Sequence, residues 1–284
     1  SRWDLLDMVR LTRALRPEGI NWPFASDGKP SNALGLLTAV NKLDHVNAHD
    51  ALADVNATIA LARLIRNKQT KLFDFMLSMR DKKKIASLVS SGNPFVYASG
   101  KYPSVYEKTT VVVSLGEHPG KQGVLVYDLR SDPFALADMT PETIAKTWHE
   151  RVEDETKRFP VKTLQFNRCP AVAPLNVLDK KSQERLTLDM KIIKKHQQAL
   201  AKLPNLREKL LKALEILEGY RQAQFINDEQ EVDSQLYDGF FGEGDKNLMA
   251  IVRAAEPETL SSLILDFKDD RLAKLLPLYK ARNF

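Results

Sequence analysis

The stretch Thr109-Thr110-Val111-Val112-Val113-Ser114-Leu115 decides the fold class of this chain. It begins with an unbroken run of β-branched residues, Thr109 to Val113, which favours a strand. A second run of the same kind, residues 123–129, follows after a turn-rich segment. Residues 95–97 and 161–166 continue the pattern on either side. The middle of the chain is therefore predicted to be a small β-barrel or open sheet.

Helical patterns flank this β region. Residues 4–15 and 34–43 are predicted as helices, and Pro17 ends the first of them. A third helix is predicted to begin at Asn47 and to bury one apolar stripe, formed by Ala51, Val55, Ile59 and Ala62.

Residues 72–88 are predicted as one helical stretch, and Thr140-Pro141-Glu142 opens a further helix. Pro204 opens a long helix that is expected to end near Gly219, and residues 235–284 are helical again. The whole chain is predicted to be α+β.

Composition limits the classes of function. Of the 284 residues, 43% are hydrophobic and 28% are charged, which is typical of a soluble globular protein. No apolar run is long enough to cross a bilayer, Cys169 is the single cysteine, and Ser1 begins no signal peptide pattern, so we expect a cytoplasmic protein that does not bind membranes. The net charge of +5 is compatible with a polyanionic partner and does not by itself establish one.

The sharpest local motif is H-x-A-x-x-D, formed by His49, Ala51 and Asp54. A carboxylate such as Asp54 suits a hard Mg²⁺ ion, two of which can stabilise the attacking and leaving oxygens in phosphodiester hydrolysis. Near a helix N-terminus His49 should stay neutral, so that it could accept a proton from water. The alternative is a helix-capping or surface histidine.

Six collinear blocks carry a resemblance to a known family. The chain resembles the bacterial exodeoxyribonuclease I family, within the DEDDh group of exonucleases, whose third motif matches His49, Ala51 and Asp54. The blocks are residues 1–7, 15–23, 47–51, 167–170, 235–241 and 279–284.

This resemblance implies the domain organisation. Residues 1–69 are expected to be a helical remnant of a ribonuclease-H-like exonuclease domain. Residues 70–220 are expected to be an SH3-like β-barrel domain with helical insertions, and residues 221–284 the start of a C-terminal helical domain. The family holds two Mg²⁺ ions with four acidic residues and uses a histidine as general base. Asp54 is one of those four ligands and His49 is that base, so we expect this polypeptide alone to be inactive and to form part of a longer protein.

The resemblance also implies a groove for single-stranded DNA, in which basic residues follow the phosphates and aromatic faces stack on bases. Arg10, Tyr97 and Lys101 are the candidate contacts, and Tyr102 lies close to the last two in the sequence. For Tyr97 and Lys101 the alternative is packing in the barrel and a solvated lysine. Residues 31–35 depart from the family pattern, so a contact expected in that loop is in doubt.

The resemblance also implies a binding site for a partner protein. The family binds the acidic, Phe-ending tail of single-stranded-DNA-binding protein on a basic ridge beside an apolar pocket. Arg16 and Phe75 match that site, whereas Pro174 and Asp179 stand where the family has basic and polar residues. Lys180 and Lys181 could compensate for them.

The resemblance predicts a monomeric 3′ to 5′ exonuclease of DNA repair and recombination, which releases 5′-mononucleotides from single-stranded DNA. An alternative of a different class is a non-catalytic module that binds single-stranded DNA or docks a partner. A proofreading exonuclease of the DEDDh group is disfavoured, because it has no counterpart of the blocks after residue 167.

Overall fold

A computed structural model of the chain describes residues 3–44, 50–227, 232–235 and 239–283. The chain divides into two compact units, residues 1–217 and 218–284. The division lies close to the predicted boundary at residue 220, and the boundary predicted at residue 69 stays a prediction. In the described ranges no helix has both the length and the hydropathy needed to cross a membrane.

Five helices precede the sheet. They are α1 (Leu5–Leu15), α2 (Leu34–Val40), α3 (Ala51–Lys68), α4 (Thr70–Ser78) and α5 (Lys82–Val89). The single helix predicted for residues 72–88 is wrong, because the chain turns after Ser78 and starts again. Asp81 caps the new helix by accepting a hydrogen bond from the backbone N–H of Lys83 at 2.8 Å.

Helix α3 also differs from the prediction. Its cap is Asp50, whose side chain accepts hydrogen bonds from the next helical N–H groups, while Asn47 lies outside the described residues. The buried face is Ala57, Leu61 and Ile65, and the predicted stripe is wrong because Val55 remains 54% exposed. Both sets of residues have helical spacing, so periodicity could not choose between them. Packing against α1, α2 and α4 makes the choice.

The strands form one antiparallel sheet in the order β4-β3-β2-β1-β5. They are β1 (Phe95–Ala98), β2 (Thr109–Glu117), β3 (Gly123–Asp128), β4 (Val161–Gln165) and β5 (Ala171–Pro174). The first four match the predicted runs. Sequence analysis missed β5, a four-residue edge strand, because it contains two alanines and ends in proline, which are residues that strands rarely use.

Both faces of this sheet are covered. Val111, Val113 and Tyr127 belong to a hydrophobic cluster that extends into α1 and α3. Val112 and Val126, on the other face, pack with Ile85 and Val89 of α5. The helices before the sheet therefore share a core with it.

A buried ion pair joins the same two regions. Arg13 of α1 is 2% exposed, and its Nε lies 2.7 Å from Glu107 Oε2 in the segment before β2. The Arg13 guanidinium also donates to the carbonyls of Pro23 and Ser31, at 2.9 and 2.7 Å. One side chain thus fixes α1, the following loop and the sheet.

The remaining helices that begin in the first unit pack against the hydrophobic cluster on one face of the sheet, and the last of them continues past Leu217. They are α6 (Pro141–His149), α7 (Lys180–Arg185), α8 (Met190–Leu200) and α9 (Leu206–Asn227). Thr140 caps α6 as predicted. Helix α9 does not end near Gly219 but continues to Asn227, because an isolated glycine costs a helix only about 1 kcal/mol. The second unit contains α10 (Glu243–Ala254), α11 (Pro257–Leu260) and α12 (Asp270–Arg282).

Candidate functional site

The predicted catalytic residues lie at the start of α3. Asp54 is in the first turn of the helix and is half-buried. Its backbone N–H donates to the Asp50 carbonyl at 2.9 Å, and its own carbonyl accepts from Thr58 Oγ1 at 2.8 Å. Seven residues separate Asp54 from the buried Leu61, so both lie on the same face of the helix. His49 lies outside the described residues.

The described residues do not by themselves fit two metal ions. Within the described ranges, no three His, Cys, Asp or Glu side chains come together as a set that could hold a metal ion. Two Mg²⁺ ions need several oxygen ligands, and Asp54 offers one carboxylate. Further ligands would have to come from outside the described residues.

Two of the predicted DNA contacts, Arg10 and Lys101, come close together where β1 ends. Arg10 forms an ion pair with Asp7 on the same helix, and its guanidinium covers Gly100 so closely that an added Cβ would lie 2.9 Å from Nη2. Lys101 follows directly and donates from Nζ to the Thr163 carbonyl at 3.2 Å. Glycine at position 100 permits the approach of Arg10 to this loop.

Positive charges outnumber negative ones in the cluster around Arg10 and Lys101. The pKa of Lys101 is lowered by burial and by the charges of Lys121 and Arg168. The pKa of Asp7 is raised by burial, against the opposing effect of Arg10. Crowded cations that lower the pKa of a neighbouring lysine form a surface that would gain from an anion.

Tyr97 is placed differently from its prediction. Its side chain is only 5% exposed, and its ring packs edge-on against Tyr102 at a centroid distance of 5.5 Å. Burial raises the pKa of Tyr97 to about 12. The ring is part of the core and its face is covered, which agrees with the alternative of barrel packing rather than with stacking on a base.

Arg16 and Phe75, the predicted partner-binding residues, line the same pocket of about 550 Å³. Arg16 Nη2 donates to the Val177 carbonyl at 3.0 Å, so the end of α1 is tied to the segment after β5. Lys68 and Lys71 also line the pocket, and Leu15, Leu72, Ala173 and Val177 supply apolar surface. Apolar surface beside basic side chains suits an acidic peptide with an apolar terminal residue.

The basic residues near this pocket differ from those that the sequence analysis named. Lys180 and Lys181 are on α7 and do not line the pocket, whereas Lys68 and Lys71 do. Asp179 carries a carboxylate 3.5 Å from Arg16 Nη1.

Comparison with known proteins identifies the family. Residues 80–215 match the Exonuclease I SH3-like domain, and residues 230–284 match the Exonuclease I C-terminal domain. Exodeoxyribonuclease I of Escherichia coli K12 is 38% identical over the whole chain, which covers 60% of that relative. The enzyme of Buchnera aphidicola from Acyrthosiphon pisum is 33% identical, and the chain covers 67% of it.

Solved structures give the same result. Exonuclease I of E. coli in complex with a dA16 oligonucleotide has a TM-score of 0.78 at 38% identity, and all of this chain matches 60% of that one. An ExoI/SSB-Ct complex has a TM-score of 0.75 at 37% identity, again with all of this chain matching 59% of that one. The chain thus spans about 60% of the length of most of these relatives. It belongs to the exodeoxyribonuclease I family.

Proposed function

We propose that this chain is part of a 3′ to 5′ exonuclease that acts on single-stranded DNA in repair and recombination and releases 5′-mononucleotides. The observation that supports this most strongly is the match of the entire chain to exodeoxyribonucleases I, including an E. coli structure with a bound oligonucleotide. The positive cluster around Arg10 and Lys101 supports it independently, since cations that follow phosphates supply much of the affinity for single strands.

In this proposal Asp54 is one carboxylate ligand of a pair of Mg²⁺ ions, and His49 is the general base. The metal ions would supply charge stabilisation of the attacking and leaving oxygens. The helix fixes Asp54 through its capped first turn, so the carboxylate is presented on a rigid element. The proposed domains remain residues 1–69, 70–220 and 221–284, and the protein is proposed to be monomeric and cytoplasmic.

A nuclease assay tests the catalytic proposal. With Mg²⁺ and labelled single-stranded DNA, the 284-residue chain is expected to leave the 3′ end undigested. In the intact gene product, Asp54→Asn is expected to lower digestion more than about 100-fold, because one metal ligand is lost. The matched control is Asp138→Asn, an exposed carboxylate in the SH3-like region. Equal digestion by the Asp54 and Asp138 variants would refute the assignment.

We also propose that the Arg16 and Phe75 pocket binds the acidic, Phe-ending tail of single-stranded-DNA-binding protein. The apolar surface would receive the terminal phenylalanine, and Arg16 with Lys68 and Lys71 would face the acidic residues. The existence of an ExoI/SSB-Ct complex of similar structure supports the proposal.

Charge reversal at one position tests this partner site. Arg16→Glu is expected to weaken binding of a tail peptide more than about tenfold, because a carboxylate would face the acidic peptide. Arg63→Glu is the matched control, since Arg63 is exposed on α3 and does not line the pocket. Titration of a fluorescent peptide measures both, and unchanged affinity in Arg16→Glu would remove Arg16 from the site.

The second candidate is a non-catalytic module that binds single-stranded DNA or docks a partner. It is favoured, for the polypeptide by itself, by the lack of a cluster of three or more metal ligands among the residues the structure describes. The nuclease assay on the intact gene product separates the two, because the exonuclease predicts metal-dependent digestion of the 3′ end that Asp54→Asn lowers, whereas the module predicts no digestion.

A further inference from the structure

A second polar pocket, of about 280 Å³, opens beside the edge strand β4. Its walls are the loop after β1, the residues after β3 and the segment that leads into β4. Lys101, Tyr102, Arg158 and Lys162 line it, together with Asp128 and other residues of these three segments. It shares Lys101 and Tyr102 with the surface that the sequence analysis considered for DNA, and its other residues had been given no role.

Cations dominate this pocket. The Lys162 side chain makes no hydrogen bond or ion pair with a described residue. Burial together with the charges of Arg158 and Lys101 outweighs the opposing charge of Asp128 and lowers the pKa of Lys162 to about 8. Arg158 lies 3.2 Å from Glu155 Oε1, but Lys108 holds the same carboxylate at 2.8 Å. Glu155 is thus shared between two cations other than Lys162.

The other charged groups of the pocket are already engaged. The buried Asp128 accepts hydrogen bonds from Thr110 Oγ1 at 2.6 Å and from the Arg130 backbone N–H at 3.1 Å. The Arg130 guanidinium donates to the Thr187 carbonyl at 3.0 Å and lies over the Tyr106 ring. Both groups are thus held by other partners, and the charge of Asp128 only partly opposes the lowering of the Lys162 pKa.

A buried donor completes the arrangement. Tyr102 is 1% exposed, and its hydroxyl has no hydrogen-bond partner within the described residues. A buried hydroxyl without a partner costs about 1–3 kcal/mol, so such groups are uncommon unless a ligand or water satisfies them. Tyr102 lines the same pocket as the three cations.

We propose that this pocket binds a phosphate group, with Lys101, Arg158 and Lys162 as counter-charges and the Tyr102 hydroxyl as a hydrogen-bond donor. Arginine offers a planar fork and lysine a compact charge, both of which suit phosphate oxygens. The phosphate comes either from the backbone of a bound strand or from a free mononucleotide. The idea that a bound DNA strand supplies the phosphate rests on the proposed function, whereas binding of phosphate itself does not.

Three probes distinguish these sources in the 284-residue chain: inorganic phosphate, 5′-dTMP and a dodecamer of thymidylate. Lys162→Gln is expected to raise the Kd of the occupying probe about tenfold, because a charge-assisted contact is lost. If the strand is the source, the slope of log affinity against log salt also falls by about 0.7. The matched control is Lys157→Gln, a lysine that is 77% exposed and outside the pocket.

Tyr102→Phe separates ligand binding from folding. It removes a hydroxyl that has no partner in the described residues, so the thermal unfolding midpoint should stay unchanged or rise, while the Kd rises about threefold. The proposal is overturned if Lys162→Gln and Tyr102→Phe bind all three probes as the unsubstituted chain does, or if that chain binds none of them. Binding of phosphate and 5′-dTMP without the dodecamer would retain the pocket and contradict the proposed strand binding.

Discussion

The sheet and helix α3 differ in how completely their residues are buried. Every residue of β3 is buried, and helices cover both faces of the sheet. Helix α3 buries Ala57, Leu61 and Ile65 on one face, while Leu52 is 68% exposed on another. The region that matches the SH3-like domain therefore contains a complete core, whereas the helix that carries Asp54 has one packed face and one apolar face open to solvent.

The difference separates two kinds of site. The phosphate pocket lies on the well-packed sheet and its flanking segments. The Arg16 pocket is formed by the ends of α1 and α3, by α4 and by the region of β5, so described residues surround it. The proposed metal ligand stands on an element that the described residues support from one side only. Ligand binding should therefore be easier to measure in this chain than catalysis.

The largest effect is expected where the two regions are joined. Arg13→Met leaves the buried Glu107 carboxylate without its ion pair and should lower the free energy of unfolding by about 3–5 kcal/mol. The comparison is Lys29→Met, which removes an exposed pair with Asp27 and should cause no measurable change. Urea unfolding measures both. A small loss in Arg13→Met would mean that the helices and the sheet do not depend on each other.

Gly123→Ala is expected to destabilise the sheet without changing a helix. An added Cβ would lie 2.0 Å from the Leu164 carbonyl of β4, so the strands must separate, at a cost of about 3 kcal/mol. Gly120→Ala, in the preceding turn, meets nothing within 4 Å and is the control. Thermal unfolding compares the two. Equal midpoints would show that β4 can shift freely, and the contrast with α3 would weaken.

Leucine truncation sharpens the description of α3. Leu61 is 2% exposed, and Leu61→Ala should cost about 2–3 kcal/mol through lost contacts and a residual cavity. Leu52→Ala, at the exposed face, should change stability by less than about 0.5 kcal/mol. If both cost the same, the apolar face at Leu52 is covered in solution.

A pH effect is expected beside the sheet. Burial of Glu155 would raise its pKa, but hydrogen bonds from Lys108 and Ser104 outweigh this and lower it from 4.5 to about 2. Glu155 therefore stabilises the fold fully above pH 4.5, and the contribution is lost as pH falls toward 2. Glu155→Gln should cost about 1 kcal/mol at neutral pH and flatten this acid dependence. Unfolding measured at several pH values tests it, and an unchanged slope would contradict the assignment.

The smallest effect concerns Asp179, whose carboxylate competes for Arg16. Asp179→Asn keeps an N-cap for α7 but removes the charge, so a tail peptide should bind about threefold more tightly. Asp189→Asn makes the same change at the cap of α8, away from Arg16, and should have no effect. Peptide titration compares the two, and equal affinities would mean that Asp179 does not compete.

Sequence patterns located β1 to β4, because β-branched and aromatic residues are frequent in these strands. They could not locate β5, nor choose the buried face of α3, since these depend on partners distant in sequence. The Arg16 and Phe75 pair came from the family resemblance, and the structure brings the two residues together in one pocket. Their role in binding stays a prediction.

The phosphate pocket was not foreseen for a related reason. Lys101, Arg158 and Lys162 stand on segments that only the sheet brings together, and each is unremarkable in its own stretch of sequence. The burial of Tyr97 also required the structure, because an aromatic residue at the end of a strand suits a core and a binding surface equally.

The complete burial of β3 has a consequence for motion. Its amides are paired to β2 on one side and to β4 on the other, so their exchange with solvent deuterium requires the largest opening of the first unit. Lys162 lies on the outer strand and Lys101 in a loop, where smaller openings suffice. The groups that contact a ligand can then move on fast timescales, while the central strand stays paired and keeps the pocket in place.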